Sequence, residues 1–282
     1  MKLPAFEYAA PATLGEALSL LAANPGAKAL AGGQSLIPTM AFRLAAPPML
    51  VDLGKLTELA HISVDASGVR LGARVRWRDI EDDARLASAH PLLVEAISHV
   101  AHYQIRNRGT VGGSLAHADP AAELPGIAVT CDAQIVVAGA KGSRTIAARE
   151  FFTGALSTVL ADDELITELR LPAWPAKRRW AFEEFSRRRG DFALAGVAAF
   201  YDLDGTRVVN AHVGVIGACH RPHRVPRAEE ALNGRAIDAN AIQAAARALE
   251  AALEPPSDLH ASAVYRRSLA GTLLERALMR TL

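Results

Sequence analysis

The sequence predicts a chain of two α+β domains. Strand-like and helix-like segments follow one another in mixed order along all 282 residues, without an internal repeat. Pro172, Pro175 and the basic residues 177–179 mark a boundary between two parts of the chain. Half of the residues are hydrophobic, which is enough to fill a core in each part.

In the first part, short apolar segments beside turn residues predict strands at 28–31, 49–53, 69–73 and 133–138. Helices are predicted at 35–44, 77–85, 91–100 and 120–130. Ser35 is a candidate N-cap of the first of these helices, and Pro91 opens the third. Residues 102–114 show no apolar periodicity and are predicted to form a loop.

Residues 164–171 alternate apolar and polar side chains, the pattern of a half-buried strand. Beyond the boundary, strands are predicted at 180–187, 195–202 and 208–216, with a helix as the alternative for 195–202. Helices are predicted at 225–232, 239–253 and 261–282. In the last one, Tyr265, Leu269, Leu273 and Ala277 recur every fourth residue, which predicts a stripe that faces the core.

The composition excludes several classes of function. A net charge of +1 and an isoelectric point near 7.9 give no basic field for nucleic acid or for an anionic membrane surface. The absence of a run of about 18 apolar residues argues against a transmembrane helix, and the first residues do not resemble a secretory signal. Cys131 and Cys219 are too few for a four-cysteine zinc or iron–sulfur site. Together these features predict a reduced, cytoplasmic protein.

Two glycine pairs, each followed by a hydroxyl residue, are the strongest indication of function. The first pair lies in the run Ala31, Gly32, Gly33, Gln34 and Ser35, between a predicted strand and a predicted helix. The backbone N–H groups of such a loop can converge on an anion, and the field of the following helix favours a phosphate. An ordinary connection between a strand and a helix explains the same residues equally well. The loop matches neither the P-loop nor the Rossmann pattern, which disfavours both.

The second glycine pair follows roughly eighty residues later and belongs to a longer pattern. Its polar and glycine residues are Thr110, Gly112, Gly113, Ser114, Asp119 and Glu123. Hydroxyl and N–H groups suit a phosphate, whereas carboxylates suit the hydroxyls of a ribose. The plain alternative is a surface loop before a helix that has Asp119 as its N-cap and Pro120 in its first turn. Two such segments in one chain predict a clamp around a ligand with two phosphates.

Two further segments carry weaker signals. His117 lies close to Asp119 in the sequence, but no further ligand cluster accompanies them, so a metal site is not expected. Arginines at residues 187–189 predict a charged turn. Phe192, which follows Gly190 and Asp191 and enters an apolar run, is placed to stack on a flat ring.

These motifs resemble those of the FAD-binding medium subunits of the molybdenum hydroxylases, the group that contains aerobic carbon monoxide dehydrogenase and xanthine dehydrogenase. The matching stretches are AGGQS at 31–35, TVGGSLAHADPAAELP at 110–125 and RRRGDFALAG at 187–196. The similarity covers essentially the whole chain. It departs at Gln34, where carbon monoxide dehydrogenase relatives often have histidine, and this weakens any inference about the substrate.

The resemblance implies an FAD site. Both glycine segments would hold the FAD pyrophosphate, and Asp119 and Glu123 would lie beside the ribitol or the adenosine ribose. Ala101 matches a position near the isoalloxazine ring, and Phe192 matches the position that covers this ring. Ile166 matches an apolar contact on the adenine side.

The resemblance also implies an architecture and a set of partners. Residues 1–176 would form an FAD-binding domain of the vanillyl-alcohol-oxidase/PCMH type, with two lobes that meet near residues 55–60. Residues 177–282 would form a small α+β C-terminal domain with an antiparallel sheet. A small subunit with two [2Fe–2S] clusters and a large molybdenum subunit with molybdopterin would complete a dimer of heterotrimers. Electrons would pass from the clusters through FAD to an external acceptor, with no catalytic acid, base or nucleophile in this chain.

Two alternatives to this electron-transfer role belong to other classes. A stand-alone FAD oxidoreductase would act on a small substrate of its own, but the sequence shows no flavin-attachment motif and no obvious substrate domain. A scaffold subunit would have kept the fold and lost FAD, but the intact glycines of both segments argue against this.

Overall fold

The computed structural model describes residues 2–282 of the chain. Within this range the helices, α1 to α12 in chain order, are Leu14–Ala23, Leu36–Ala41, Trp77–Asp82, Ala84–Ala89, Pro91–His99, Tyr103–Arg106, Val111–His117, Glu123–Thr130, Ala148–Phe151, Pro226–Leu232, Ala239–Ala252 and Ala263–Met279. The strands, β1 to β14, are Glu7–Ala9, Lys28–Leu30, Met49–Asp52, Ile62–Asp65, Gly68–Gly72, Gln134–Gly139, Gly142–Ala147, Phe152–Gly154, Ser157–Thr158, Leu165–Pro172, Arg179–Phe185, Ala195–Asp204, Arg207–Ile216 and His223–Arg224. Two short 3₁₀ helices, Leu53–Lys55 and Thr57–Leu59, follow β3.

The first sheet is parallel and has the strand order β1–β3–β2. Helix α1 begins at the N-cap Thr13, whose side chain accepts a hydrogen bond from the backbone of Glu16. It buries Ala17 and Leu21 in a small apolar cluster with Val51 of β3. This layer presents the end of β2, and therefore the first glycine loop, at its edge.

The second sheet is antiparallel, with the order β4–β5–β10–β6–β7. The third sheet is also antiparallel, with the order β11–β12–β13–β14, and helices α10, α11 and α12 cover one of its faces. Phe182 and Phe200 of the third sheet belong to the same apolar cluster as Val69 and Leu169 of the second sheet. The second and third sheets therefore share a core, and the short hairpin β8–β9 lies outside both.

The predicted α+β class is confirmed, and the long periodic segments form the predicted elements. Residues 195–204 form a strand, so the helical alternative is wrong: ladders to β11 and β13 enclose the segment on both sides. The core stripe of the last helix is only partly right, because Tyr265 is 47% exposed whereas Leu273 and Ala277 are buried. Local sequence patterns did not predict β1, α1, β4, β7, the hairpin β8–β9, α9 or β14.

Two predicted helices are shorter than expected. The helix expected at 35–44 ends at Ala41, because Arg43 adopts a positive φ of 63° and the N–H of Leu44 turns back to the carbonyl of Thr39. The helix expected at 77–85 is two helices, α3 and α4. Asp83 separates them because its carboxylate accepts the N–H of Arg85 and starts a new helix.

The loop expected at 102–114 is wrong, since this segment contains α6 and most of α7. Helix α7 carries the second glycine pair in its first turn, with Thr110 as N-cap. Glycine has a low helix propensity, and local pattern therefore gave no sign of a helix here. Contacts with distant residues, described below, hold the segment in this conformation.

Candidate functional site

The first glycine loop has backbone donors that the protein does not use. Among the described residues, no protein acceptor receives the N–H groups of Gly32, Gly33, Gln34 or Ser35. Gly33 has a φ of +75°, which a residue with a side chain rarely adopts, and this turns the loop into α2. Consecutive unpaired N–H groups in a turn of this kind form an anion-binding concavity.

Ser35 does not cap α2 as expected. Its backbone is already in the right-handed helical region and its side chain makes no cap hydrogen bond, so its hydroxyl is available to a ligand. Gln34 instead stabilises the loop, because its side-chain amide donates to the carbonyl of Gly32 at 3.1 Å. Since α2 has only six residues, its field contributes little. The loop N–H groups and the Ser35 hydroxyl are thus the available donors.

The second glycine segment differs from the first, because its backbone donors are already occupied. The N–H of Val111 donates to the carbonyl of Val75 at 2.9 Å, and the N–H of Gly112 donates to the carbonyl of Ala73 at 2.8 Å. The N–H of Gly113 donates to the hydroxyl of Thr110 at 3.2 Å. The expectation that both segments offer backbone N–H groups to a phosphate is therefore not met here. The side chain of Ser114 remains the free donor of this segment, since it makes no hydrogen bond to another described residue.

The two glycines of the second segment have different surroundings, and each is suited to glycine for a different structural reason. A Cβ on Gly112 would lie 2.7 Å from the Cβ of Ala73, so this glycine allows α7 to pack against the end of β5. A Cβ on Gly113 would meet the Thr110 hydroxyl at 2.8 Å and otherwise only the Cβ of Ala31 at 3.9 Å. Gly113 therefore faces the space beside the first loop.

The structure brings the two glycine segments together. A Cβ on Gly32 would collide with the carbonyl group of Arg108, just ahead of the second segment. The Nε of Arg108 donates to the carbonyl of Gly32 at 3.3 Å, and Gly113 faces Ala31 as described above. Six residues, which include α6, lie between Ala101 and Arg108, the residue that contacts the first loop.

Ala101 lies beside the loop that carries Phe192. Ala101 adopts a positive φ of 42°, and its carbonyl accepts from the guanidinium of Arg106 at 3.3 Å. A Cβ on Gly190 would lie 2.8 Å from that carbonyl and would also collide with the ring of His102. Phe192, two residues further on, is 73% exposed, so its ring is free to cover a ligand. The structure therefore places the two residues assigned to the flavin ring on adjoining segments.

Asp119 lies just before α8, and Glu123 is the first residue of this helix. Asp119 is not the N-cap of this helix, which begins after Ala122; its carboxylate accepts the N–H of Ala121 in a turn before the helix. Burial raises the pKa of Glu123 to about 8, and the nearby carboxylate of Glu184 adds to the rise. Glu123 is therefore protonated at neutral pH and can both donate and accept a hydrogen bond, as a ribityl or ribose hydroxyl can.

Ile166 does not lie at the surface of this region. Its side chain is 4% exposed and packs in the core of the second sheet. Its backbone pairs with Val137 of β6, so the residue as a whole is enclosed by the protein.

Three residues near the assigned ones received no role from the sequence. Arg108 touches the first loop. The imidazole of His99 lies between two carboxylates: its Nδ1 is 3.6 Å from Oε1 of Glu184, and its Nε2 is 3.6 Å from Oε1 of Glu95. The Glu184 carboxylate has one buried oxygen without a partner among the described residues. The signal for Arg108 was its position directly before the glycine pattern, whereas Glu184 lies on a strand of another sheet and gave no local signal.

The described residues contain no group of three or more histidine, cysteine or acidic side chains placed to hold a metal ion. Cys131 and Cys219 are both buried and unpaired, and burial raises the pKa of the Cys219 thiol to about 12. In residues 2–282, no helix has the length and apolar character needed to span a bilayer.

Comparison with known families divides the chain into two matched regions. Residues 4–174 match the family model described as the FAD binding domain in molybdopterin dehydrogenase. Residues 180–281 match the model described as the CO dehydrogenase flavoprotein C-terminal domain. The unpaired N–H groups of the first loop and the open space at Gly113 fit a cofactor that carries a diphosphate.

Relatives of known function match over nearly their full length. The nicotine 6-hydroxylase medium subunit of Paenarthrobacter nicotinovorans is 40% identical over 279 residues, which cover 99% of this chain and 98% of the relative. The carbon monoxide dehydrogenase medium chain of Hydrogenophaga pseudoflava is 37% identical, with 98% and 96% covered. A solved structure of the carbon monoxide dehydrogenase from H. pseudoflava superposes with a TM-score of 0.97 at 39% identity, over 100% of this chain and 98% of that one.

A structure of quinoline 2-oxidoreductase from Pseudomonas putida 86 superposes with a TM-score of 0.95 at 40% identity, with the same coverage. The fold, the two matched domains and these relatives agree. This chain therefore belongs to the FAD-binding medium subunits of the molybdenum hydroxylases, the flavoprotein components of multi-subunit oxidoreductases.

Proposed function

We propose that this chain accepts electrons from [2Fe–2S] clusters of a small partner subunit and passes them through FAD to an external acceptor. A large subunit with molybdopterin would oxidise the substrate. The flavin supplies the redox chemistry, because it can take up one or two electrons, and the protein binds and orients it. The relatives named as medium subunits support this division of labour. The chain has two buried cysteines, which cannot hold an iron–sulfur cluster, and this also supports placing the clusters in a partner subunit.

The first loop is proposed to hold the diphosphate of FAD. Its donors are the backbone N–H groups of residues 32–35 and the hydroxyl of Ser35, while Ala31 forms its wall towards Gly113. The second segment contributes the Ser114 hydroxyl and the open position at Gly113. Thr110 and Gly112 would support the site without contacting the cofactor. Thr110 caps α7, and Gly112 allows α7 to pack against Ala73. The close contact at Gly32 supports a single site shared by both segments.

The flavin end of the site is proposed to lie between Ala101 and Phe192. The tight approach of Gly190 to Ala101 supports this placement. Asp119 and Glu123 are assigned to the ribityl or ribose hydroxyls. Ile166 is assigned to an apolar contact on the adenine side, as the resemblance implies, and it is 4% exposed.

We also propose the division of the chain into residues 1–176 and 177–282, with the two lobes of the first domain meeting near 55–60. The first sheet ends at Asp52, the second extends from Ile62 to Pro172, and the third begins at Arg179. These sheet limits support the division. A dimer of heterotrimers in the cytoplasm is the assembly that we infer from the family.

The observation that carries the proposal is the unpaired set of N–H groups in the first loop, adjoining the second glycine segment. The test is anaerobic mixing of the FAD-loaded chain with a reduced small iron–sulfur subunit. Flavin absorbance should bleach only when that subunit is present. Flavin reduction by a small substrate in the isolated chain would instead indicate a stand-alone oxidoreductase. Assembly with partners in a colourless form would indicate a scaffold.

A further inference from the structure

The first glycine loop has hydrogen-bond donors but no charge of its own. Its residues 31–35 are alanine, glycine, glutamine and serine. Backbone N–H groups orient a phosphate, but a diphosphate carries at least two negative charges that neutral donors only partly offset. Because α2 has six residues, its field adds little. A cation from elsewhere in the chain would offset the charge that these neutral donors leave on a bound dianion.

Arg108 is the cation that the structure ties to this loop. Its Nε donates to the carbonyl of Gly32 at 3.3 Å, and its own carbonyl lies against the Cα of Gly32. The side chain reaches the loop from a segment whose backbone position is fixed by the N–H of Arg108, which donates to Ile105 at 3.0 Å. The guanidinium is thus held against the backbone of the first loop.

The guanidinium of Arg108 forms no ion pair with another described residue. Among residues 2–282, no carboxylate lies within ion-pair distance of it. Two neighbouring arginines are already paired: Arg106 lies 3.0 Å from Glu81, and Arg78 lies 2.7 Å from Asp82. Arg108 has two terminal nitrogens left after its bond to Gly32, and these match the fork geometry with which arginine binds phosphate oxygens.

We propose that Arg108 is a diphosphate-binding residue, which donates its terminal nitrogens to the anion that the N–H groups of residues 32–35 hold. This assignment rests on the proposed FAD site and deepens it. It gives the diphosphate a counter-charge that neither glycine segment supplies. The bond to Gly32 then has a second use, because it prevents the long side chain from leaving the site and so reduces the ordering entropy lost on binding.

The test measures FAD affinity of the cofactor-free full chain by fluorescence titration, for the wild type and three variants. Arg108→Gln removes the charge, whereas Arg108→Lys keeps the charge and loses the bond from Nε to Gly32. Arg227→Gln removes an exposed arginine of α10 that has no ion-pair partner among the described residues, and serves as the matched control. Riboflavin, which has no phosphate, is the second ligand. Thermal unfolding without ligand reports whether each variant folds.

Arg108→Gln should weaken FAD binding by about tenfold or more, as expected for a lost hydrogen bond to a charged group, and should leave riboflavin binding unchanged. Arg108→Lys should recover part of that loss, and Arg227→Gln should bind FAD as the wild type does. Added salt should weaken FAD binding of the wild type more than that of Arg108→Gln.

Equal FAD affinity of the wild type and Arg108→Gln would overturn the assignment and leave the proposed function intact. Equal losses for FAD and riboflavin, or a lysine variant as weak as the glutamine variant, would show that Arg108 only shapes the loop, which also overturns it. A wild-type chain that binds no flavin at all would refute the proposed function itself.

Discussion

At the scale of single residues, the glycines of the two segments are needed for different reasons. Gly32 and Gly112 allow close packing, against the carbonyl of Arg108 and against Ala73. Gly33 supplies a positive φ. Gly113 alone among them faces open space beside the other segment. A sequence pattern records that glycine is present, but only the packing shows which glycine a ligand approaches.

Replacing Gly113 with valine should abolish FAD retention while the chain stays folded. The new side chain would fill the space beside Ala31, and its clash with the Thr110 hydroxyl would cost about 1 kcal/mol of helix capping. Gly15→Val is the matched control, because it adds the same side chain in the first turn of α1 with nothing within 4 Å. FAD occupancy after gel filtration is the measurement. Normal occupancy in Gly113→Val would place the diphosphate elsewhere.

Glu123 should make the cofactor-free protein less stable as the pH rises. Its pKa is about 8 in the folded chain and near 4.5 when unfolded, so the folded state holds one more proton between these values. Stability is therefore highest below pH 4.5 for this group and falls up to pH 8. The carboxylates of Glu184 and Asp119 face Glu123 and favour the protonated form, while His99 opposes them.

The measurement is the melting temperature of the cofactor-free chain from pH 5 to 9. The melting temperature of Glu123→Gln should fall less over this range than that of the wild type, because glutamine cannot ionise. The control Glu150→Gln changes an exposed glutamate of α9, and its melting temperature should change with pH as that of the wild type does. A wild-type curve parallel to that of Glu123→Gln would show that Glu123 is not protonated in the folded state.

At the scale of elements, the flavin-side loop, residues 186–194 between β11 and β12, carries Phe192, which we assign to the flavin ring. The N–H of Leu194 donates to Phe185 at 2.8 Å and closes the base of this loop. The carbonyl of Leu194 accepts from the buried guanidinium of Arg266 at 2.7 Å. The loop is therefore anchored at its base, while Phe192 projects into solvent.

Replacing Phe192 with alanine should change the flavin spectrum and midpoint potential more than the FAD affinity. The ring offers stacking on the isoalloxazine system, whereas the diphosphate contacts that hold FAD lie on another segment. Leu259→Ala, at a residue that is 89% exposed, is the control for loss of a surface apolar side chain. Visible absorption and spectroelectrochemistry provide the readouts. An unaltered spectrum and potential would remove Phe192 from the ring site.

The elements that the sequence predicted well are those whose own side chains carry the pattern, such as α11 and strand β10. Helix α7 escaped prediction because its support is distant: the carbonyls of Ala73 and Val75 hold its first turn. The same contacts explain why the second segment lacks the free N–H groups that the sequence predicted. Glycine pairs predicted two donor loops, but only long-range hydrogen bonds decide which N–H groups remain free.

At the scale of the whole molecule, aromatic and charged side chains join the second sheet to the third. Trp174, just after β10, packs edge-on to Phe200 of β12 with ring centroids 5.3 Å apart. The guanidinium of Arg178 lies 4.9 Å from the Trp174 ring and 4.3 Å from the Phe200 ring. It also forms two hydrogen bonds to Asp202, at 2.9 and 2.7 Å. These contacts join the segment that follows β10 to strand β12.

Replacing Arg178 with alanine should destabilise the chain by about 2–3 kcal/mol, because it leaves Asp202 without its charged partner and removes both cation–π contacts. Arg149→Ala, at an arginine that is 69% exposed, should change stability by less than about 0.5 kcal/mol. Urea unfolding measures both values. Similar midpoints for the two variants would show that the junction contributes little to stability.

The central claim is that this chain holds FAD between its two glycine segments and its flavin-side loop. The most direct test is a visible absorption spectrum of the purified chain, followed by chromatography of the cofactor released on heating. We expect flavin bands and released FAD, in the protein as purified or after incubation with FAD. A colourless chain that takes up no FAD, alone or with its partner subunits, would contradict the claim.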